Sequence, residues 1–320
     1  MKFLVTGGAG FIGSHLTEKL LALGHQVTVA DNFSTGSPAN LNAVREAPAL
    51  KVVETDVAED RVTAEKLVKE SDIVIHLAAA VGVELVVNDP AHTISTNVRG
   101  TENVLLPAAE YDKRIIAAST SEVYGKSGKE KFSETDDLLI GSPDHSRWSY
   151  ACSKLLDEFY LTALVRSSGL RGTVTRFFNT VGPRQTGRYG MVLPRFVRAA
   201  LKGEELQVYG DGGQSRCFCH VADVIRALIA LAGDDRTYGQ VYNIGSQRLV
   251  TIRELAELVI ARTKSSSKIV FVPYEKAYAK GFEDMRRRMP DTAKIHALCD
   301  WTPEKSLEEI VDDVAESMTK

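Results

Sequence analysis

Thr6-Gly7-Gly8-Ala9-Gly10-Phe11-Ile12-Gly13 stands between a short apolar run, Lys2–Thr6, and the start of a helical pattern. Glycines in such a turn let the chain reverse tightly and bring its backbone close to a ligand. The helix that follows offers unpaired N–H groups and the positive end of its dipole, which together suit a pyrophosphate. The spacing is Gly7-x-x-Gly10-x-x-Gly13, a departure from the more usual G-x-G-x-x-G. A turn of this composition can serve structure alone, but its place between a strand and a helix favours dinucleotide binding.

Working outward from that turn, apolar runs at Gln26–Ala30, Lys51–Thr55, Ile73–Leu77, Arg114–Ala118 and Gly172–Phe178 read as further strands with helical stretches between several of them. This alternation predicts a parallel sheet covered on both faces, with ligands at the carboxyl ends of its strands. The last third is less regular. Val192–Lys202 and Val221–Leu231 read as helices and Val241–Ile244 as a strand, while Thr251 with Glu254 forms a capping-box signature. Lys264–Lys268 is a Ser-rich loop. The expected architecture is α/β: a Rossmann-type doubly wound parallel sheet with a smaller C-terminal substrate-binding lobe. Residues 1–178, with 215–245 returning to them, would form the nucleotide-binding domain; 179–214 and 246–320 would form the lobe.

Composition excludes several classes of function. The 320 residues are 44% hydrophobic and 25% charged, with a formal net charge of -3, so no basic excess points to nucleic acid. No apolar run is long enough to span a bilayer, and the N-terminus lacks the apolar stretch of a secretory signal, so a cytoplasmic location is expected. Cys152, Cys217, Cys219 and Cys299 form neither a disulfide framework nor a metal-ligand pattern, and no metal is expected.

Asp31 follows the second strand, where a carboxylate can accept both ribose hydroxyls and repel a 2′-phosphate, which favours NAD over NADP. Asn32 follows it. Asp56, before Val57, either meets the adenine or simply makes a turn. Tyr150 and Lys154 lie four apart in a helical stretch, on one side of it. A free tyrosine has a pKa of about 10, too high for a base at neutral pH, and a neighbouring ammonium would lower it. Thr120, Ser121 and Glu122 follow the fifth strand and so reach the same sheet edge. Thr120 and Ser121 are candidates to hydrogen-bond a substrate hydroxyl.

TGGAGFIGSHL, DNFSTG from Asp31, HLAA at His76–Ala79 and the Tyr150-x-x-x-Lys154 pair together resemble the extended short-chain dehydrogenases, a family of NAD-dependent nucleotide-sugar epimerases, dehydratases and decarboxylases. The resemblance runs over nearly the whole chain. It implies that Phe11, Ile12, Asp31, Asp56, Leu77, Ala78, Ala79 and Asn97 line the NAD site beside Gly7, Gly10 and Gly13. It also implies a homodimer built on the helices around Asn97–Tyr111 and Tyr150–Ser167. Ser121-Glu122, the stretch Arg147–Lys154, Gln214–Phe218 and Gly281–Pro290 resemble the UDP-glucuronate decarboxylases and UDP-apiose/UDP-xylose synthases of that family. By that resemblance Arg288 would meet the carboxylate of a UDP-uronate. Arg216 and Arg184 are candidates for the nucleotide pyrophosphate, Arg184 and Arg188 alternatively for the sugar, and Asn179 ends the sixth strand. The implied reaction is C-4 oxidation and decarboxylation of UDP-glucuronate, with 4-epimerisation of UDP-glucuronate or UDP-glucose as the alternative.

Overall fold

The computed structural model describes residues 1–82, 86, 88–186, 191–273 and 287–319. Seven strands form one parallel sheet: β1 (Lys2–Thr6), β2 (Gln26–Asp31), β3 (Leu50–Glu54), β4 (Ile73–His76), β5 (Arg114–Thr120), β6 (Arg171–Phe177) and a late strand, Val241–Ile244. From one edge the order is β3, β2, β1, β4, β5, β6 and then the late strand. The order reverses between β1 and β4, the switch point at which doubly wound sheets bind their ligands. In-register pairs such as Thr6 with His76 and Ala118 with Thr175 bring the carboxyl ends of neighbouring strands to one edge.

Helices α1 (Phe11–Ala22), α2 (Arg61–Glu70), α3 (Pro90–Glu110) and α4 (Trp148–Ser168) connect the strands. On one sheet face Leu4, Val74 and Ile115 pack with Leu67 of α2, Leu105 of α3 and Leu161 of α4. On the other, Phe3, Val5 and Ile75 pack with Leu16 and Leu20 of α1 and with Val224 and Leu228.

The remaining elements are short strands β7 (Thr180–Val181), β8 (Leu206–Tyr209), β9 (Ser215–Cys217) and β10 (Cys219–His220), then β11, the late strand already placed, β12 (Leu249–Thr251), β13 (Ile269–Val272) and β14 (Arg287–Arg288). Among them run helices α5 (Val192–Lys202), α6 (Val221–Ala232), α7 (Ile252–Thr263), α8 (Ala293–Cys299) and α9 (Leu307–Thr319). Helix α7 starts on the expected capping box: the Thr251 hydroxyl accepts from Glu254 N, and Thr251 N donates to Glu254 Oε2 at 2.8 Å. Leu193, Phe196 and Val197 of α5 pack with Leu255 and Val259 of α7 and Ile310 and Val314 of α9 in a separate core.

One expectation needs correction here. Residues 246–320 do not all go with the second core. Ile295 of α8 and Trp301 are buried in the core of the main sheet, beside Tyr242 and Ile244, and Trp301 Nε1 donates to the Asp223 carbonyl at 3.0 Å. A large indole is most cheaply buried against the nearest sheet face, so 293–301 returns to the main sheet. Cys217 and Cys219 are both buried, on strands of two different small sheets, so the chain crosses between sheets at Phe218. Among the described residues no group of His, Cys, Asp and Glu could hold a metal, and no helix is long and apolar enough to cross a membrane.

Candidate active site

The glycine turn behaves as its spacing requires. Gly7 has φ +68°, a conformation that L side chains rarely adopt, and a Cβ there would stand 2.9 Å from Ala78 N. Gly13 faces the Gly7 carbonyl so closely that a Cβ would come within 2.2 Å of it. The third glycine of the spacing therefore lets α1 start against the turn. Gly10 is the N-cap of α1 and no side chain caps the helix, so its first N–H groups stay available.

Gly7, Gly10, Phe11, Ile12 and Gly13 line one end of a cavity of about 730 Å³, together with Asp31, Asn32, Asp56, Val57, Leu77, Ala78 and Ala79. These residues fit a dinucleotide. The Asp31 carboxylate also holds the turn: it accepts from Ala9 N at 2.9 Å and from Phe33 N at 2.8 Å. Burial raises its pKa above the usual carboxylate value, against those N–H groups, and the residue lines the cavity. Asn32 donates to Asp56 Oδ2 at 2.8 Å, and Asp56 Oδ1 accepts from Ala58 N at 2.8 Å, so Asp56 makes its turn and lines the cavity as well. Asn97 does not line the cavity. It is buried behind the wall, where its amide accepts from Ala80 N at 2.7 Å and donates to Ser153 Oγ at 3.1 Å, clasping the loop after β4 to α4.

Further along the same cavity stand Thr120, Ser121, Glu122, Tyr150 and Lys154. Strand β5 delivers the first three, and a turn of 3-10 helix, Ser121–Tyr124, begins with Thr120 Oγ1 accepting from Glu122 N. Val123, Tyr124 and Phe178 pack with Trp148 and Ala151, which fixes that turn against the start of α4. Tyr150 departs from expectation. Burial, and then the charges of Glu122 and Asp157, push its pKa above the ordinary tyrosine value, opposed by a hydrogen bond with Thr120. The Lys154 ammonium, expected to lower it, donates to Asp157 Oδ2 at 2.7 Å.

Arg288 is brought to Glu122 by an unexpected route. Residues 281–286 of the stretch singled out in the sequence lie outside the described residues, but β14 pairs in parallel with β9 and sets Arg288 beside Arg216. Its Nη1 donates to Glu122 Oε1 at 3.1 Å, and both side chains are largely buried. Sequence reasoning missed Arg147, buried one residue before α4, whose Nη2 is 3.9 Å from the same Glu122 oxygen. It sits inside the quoted stretch Arg147–Lys154, and only the tertiary fold shows it converging on Glu122.

Asn179 and Arg216 line the far end, with Asn179 Nδ2 donating to the Cys217 carbonyl at 2.9 Å. Arg184 is not in the cavity lining. It turns back onto α1, pairing with Glu18 Oε1 at 2.7 Å and with Ser14 Oγ at 3.2 Å. Arg188 lies outside the described residues. Arg195, Tyr209 and Gln214 also line this end and were not foreseen. Arg195 stacks over the Tyr209 ring, 4.3 Å from its centroid.

Residues 3–245 match the description of the NAD dependent epimerase/dehydratase family. The chain belongs to that family. It is 45% identical over 96% of its length to a UDP-N-acetyl-alpha-D-glucosaminuronate decarboxylase of Bacillus cytotoxicus, covering 94% of that protein. It is 36% identical over 96% of its length to UDP-glucuronic acid decarboxylase 1 of Danio rerio, covering 70% of it. Among solved structures it resembles a UDP-glucose 4-epimerase of Thermotoga maritima with a TM-score of 0.89 and 33% identity, over 100% of this chain and 99% of the other.

The expected cofactor preference follows from Asp31. The protein should bind NAD at least about tenfold more tightly than NADP at one salt concentration, since juxtaposed like charges cost several kcal/mol. Asp31→Asn should narrow that ratio. Isothermal titration of both nucleotides checks it, and tighter NADP binding to the unaltered protein would remove Asp31 from this role.

Proposed function

We propose that this protein is an NAD-dependent UDP-hexuronate decarboxylase. The observation that carries the reading is the buried Arg288–Glu122 pair beside Tyr150: a guanidinium set where a substrate carboxylate can share it, next to the base that starts the oxidation. The decarboxylases among the relatives support it, and the 45% identity to a decarboxylase of a 2-acetamido uronate makes that sugar a candidate alongside glucuronate. Epimerases share the fold and define the alternative, C-4 epimerisation of UDP-glucuronate or UDP-glucose.

In this reading Gly7, Gly10 and Gly13, the N–H groups of α1, Asp31, Asn32, Asp56, Val57, Leu77–Ala79 and Lys154 would hold NAD. Asn97 steadies the wall from behind. The cofactor, when bound, would supply the hydride acceptor and a positively charged ring. Tyr150 takes the proton of the sugar's C-4 hydroxyl, which Thr120 and Ser121 help to orient. The resulting ketone lies β to the carboxylate, so the electrons of the breaking C–C bond flow into it as carbon dioxide leaves. Tyr150, now protonated, donates to the enolate oxygen. Arg288 orients the carboxylate by a charge-assisted hydrogen bond, and Glu122 holds Arg288 in place. Arg216 and Asn179 serve the nucleotide end. The second core, built from α5, α7 and α9, forms the substrate lobe. A cytoplasmic setting suits the four free thiols.

If Arg288 and Glu122 make a decarboxylation site, Arg288→Ala should lose carbon dioxide release more severely than C-4 oxidation. Truncating one partner of a buried charge contact typically costs ~2–5 kcal/mol. Single-turnover assays with UDP-glucuronate and UDP-N-acetylglucosaminuronate, following reduced cofactor by absorbance and carbon dioxide by trapping, separate the two steps. Equal loss of both steps would place Arg288 in general substrate binding instead.

The protein is also proposed to be a homodimer through α3 and α4. Ile94 on α3 and Leu156 and Phe159 on α4 are exposed, Phe159 by 65%, and together they leave an apolar face uncovered on this helix pair. Light scattering at micromolar concentration should give twice the chain mass, and Leu156→Glu with Phe159→Glu should give the monomer. A monomeric unaltered protein would defeat the proposal.

A further inference from the structure

Beneath Tyr150 lies a buried polar chain whose middle, Thr6, His76, Thr101 and Asp157, the reaction above does not use. Asp157 and Lys154 sit on α4 and are both nearly inaccessible, with Lys154 Nζ donating to Asp157 Oδ2 at 2.7 Å. The Thr101 hydroxyl on α3 hydrogen-bonds the same carboxylate. Thr101 Oγ1 is 3.2 Å from Nε2 of His76 at the end of β4, and His76 Nδ1 is 2.7 Å from Thr6 Oγ1 at the end of β1. Thr6 Oγ1 in turn accepts from Ala78 N at 3.3 Å.

The carboxylate end fixes the direction of every link. Burial raises the Asp157 pKa, opposed by Lys154 and Thr101; as the ionised partner of Lys154 it can only accept, so Thr101 donates to it and must accept from His76 Nε2–H. His76 Nδ1 then accepts from the Thr6 hydroxyl, whose oxygen accepts from Ala78 N–H. All donors run toward Asp157. His76, held at a pKa of about 3 by burial and the charge of Lys154, stays neutral and adds no charge of its own. Asp157 is therefore the carboxylate on which two networks end: this relay from the cofactor side of the sheet, and the Lys154 ammonium.

We propose that Asp157 is a positioning residue that holds the Lys154 ammonium and damps its charge at Tyr150, so that this carboxylate sets the acid limit of turnover. The proposal rests on Tyr150 being the base, and not on which sugar is the substrate. The charges that act on Tyr150 are Glu122 from the turn after β5, with Arg147 and Arg288 paired to it, and Asp157 from α4, with Lys154 paired to it. Glu158, the next residue, is occupied elsewhere by Arg176 at 2.6 Å and Ser119 at 2.5 Å. With Asp157 neutralised, the Lys154 charge acts on the phenol unopposed, and an opposite charge nearby favours the phenolate.

The test is the pH profile of the NAD-loaded enzyme. Asp157→Asn keeps the shape and one acceptor for Lys154, and it should move the acid limb of kcat to lower pH by about one unit. The rate read is reduction of bound NAD by whichever UDP-sugar the enzyme oxidises, so failure of the decarboxylase reading leaves the test intact. An unmoved limb, or a loss of kcat equal at every pH, marks a purely structural residue and overturns the proposal. Should Asp157→Asn fail to fold, tyrosinate absorbance of the unaltered protein minus Tyr150→Phe, without substrate, gives the titration of Tyr150 directly. The same titration on Asp157→Ser, which removes the charge but keeps a hydroxyl for Lys154, should give a lower midpoint than the unaltered protein; an equal midpoint overturns the proposal.

Discussion

Every group of the site depends on one constraint: seven strands run parallel, so their carboxyl ends meet at a single edge. Strand β1 ends in the glycine turn, β2 in Asp31, β4 in Leu77–Ala79, β5 in Thr120–Glu122, and Asn179 follows β6. No one of these segments is long, and none could build a binding site alone. Register does the assembly, and hydrophobic burial on both sheet faces fixes register, since a slip of one residue would turn Val5, Ile75 and Ile116 away from their core.

At that edge the electrostatics divide the site in two. The α1 end has uncapped N–H groups and the Asp31 carboxylate, which suits a dinucleotide without a 2′-phosphate. The opposite end gathers Arg147 and Arg288 around one carboxylate, Glu122, with Arg216 beside Arg288. Largely buried guanidinium groups are retained where they have something to pair with, and an anionic sugar with a diphosphate presents that chemistry. Tyr150 stands between the two ends. Its proton affinity in the protein alone is raised by burial and then by the charges of Glu122 and Asp157, while the Lys154 ammonium is paired with Asp157.

Much of this was legible in the chain. The glycine turn, Asp31, the Tyr150–Lys154 spacing, the Thr251–Glu254 capping box and the strand at Val241–Ile244 are local patterns, and local patterns survive folding. What was not legible depends on partners far away in sequence. Arg184 could not be placed without Glu18 on α1, and Arg147 could not be linked to Glu122 without the packing of Trp148 on Val123 and Tyr124. The return of α8 and Trp301 to the main sheet is set by packing against Tyr242 and Ile244, contacts that no short window of sequence contains. Asp157 was visible three residues after Lys154, yet its hold on the ammonium emerges only once both are buried.

The central claim is that one site oxidises C-4 and then releases the carboxylate. It is tested most directly with UDP-hexuronate carrying a heavy-carbon label in the carboxyl group, given to the unaltered NAD-loaded protein. The account requires one labelled carbon dioxide for each sugar consumed, with an unlabelled UDP-pentose or its 4-keto form left behind. Conversion to the C-4 epimer with the label still in the sugar would contradict it.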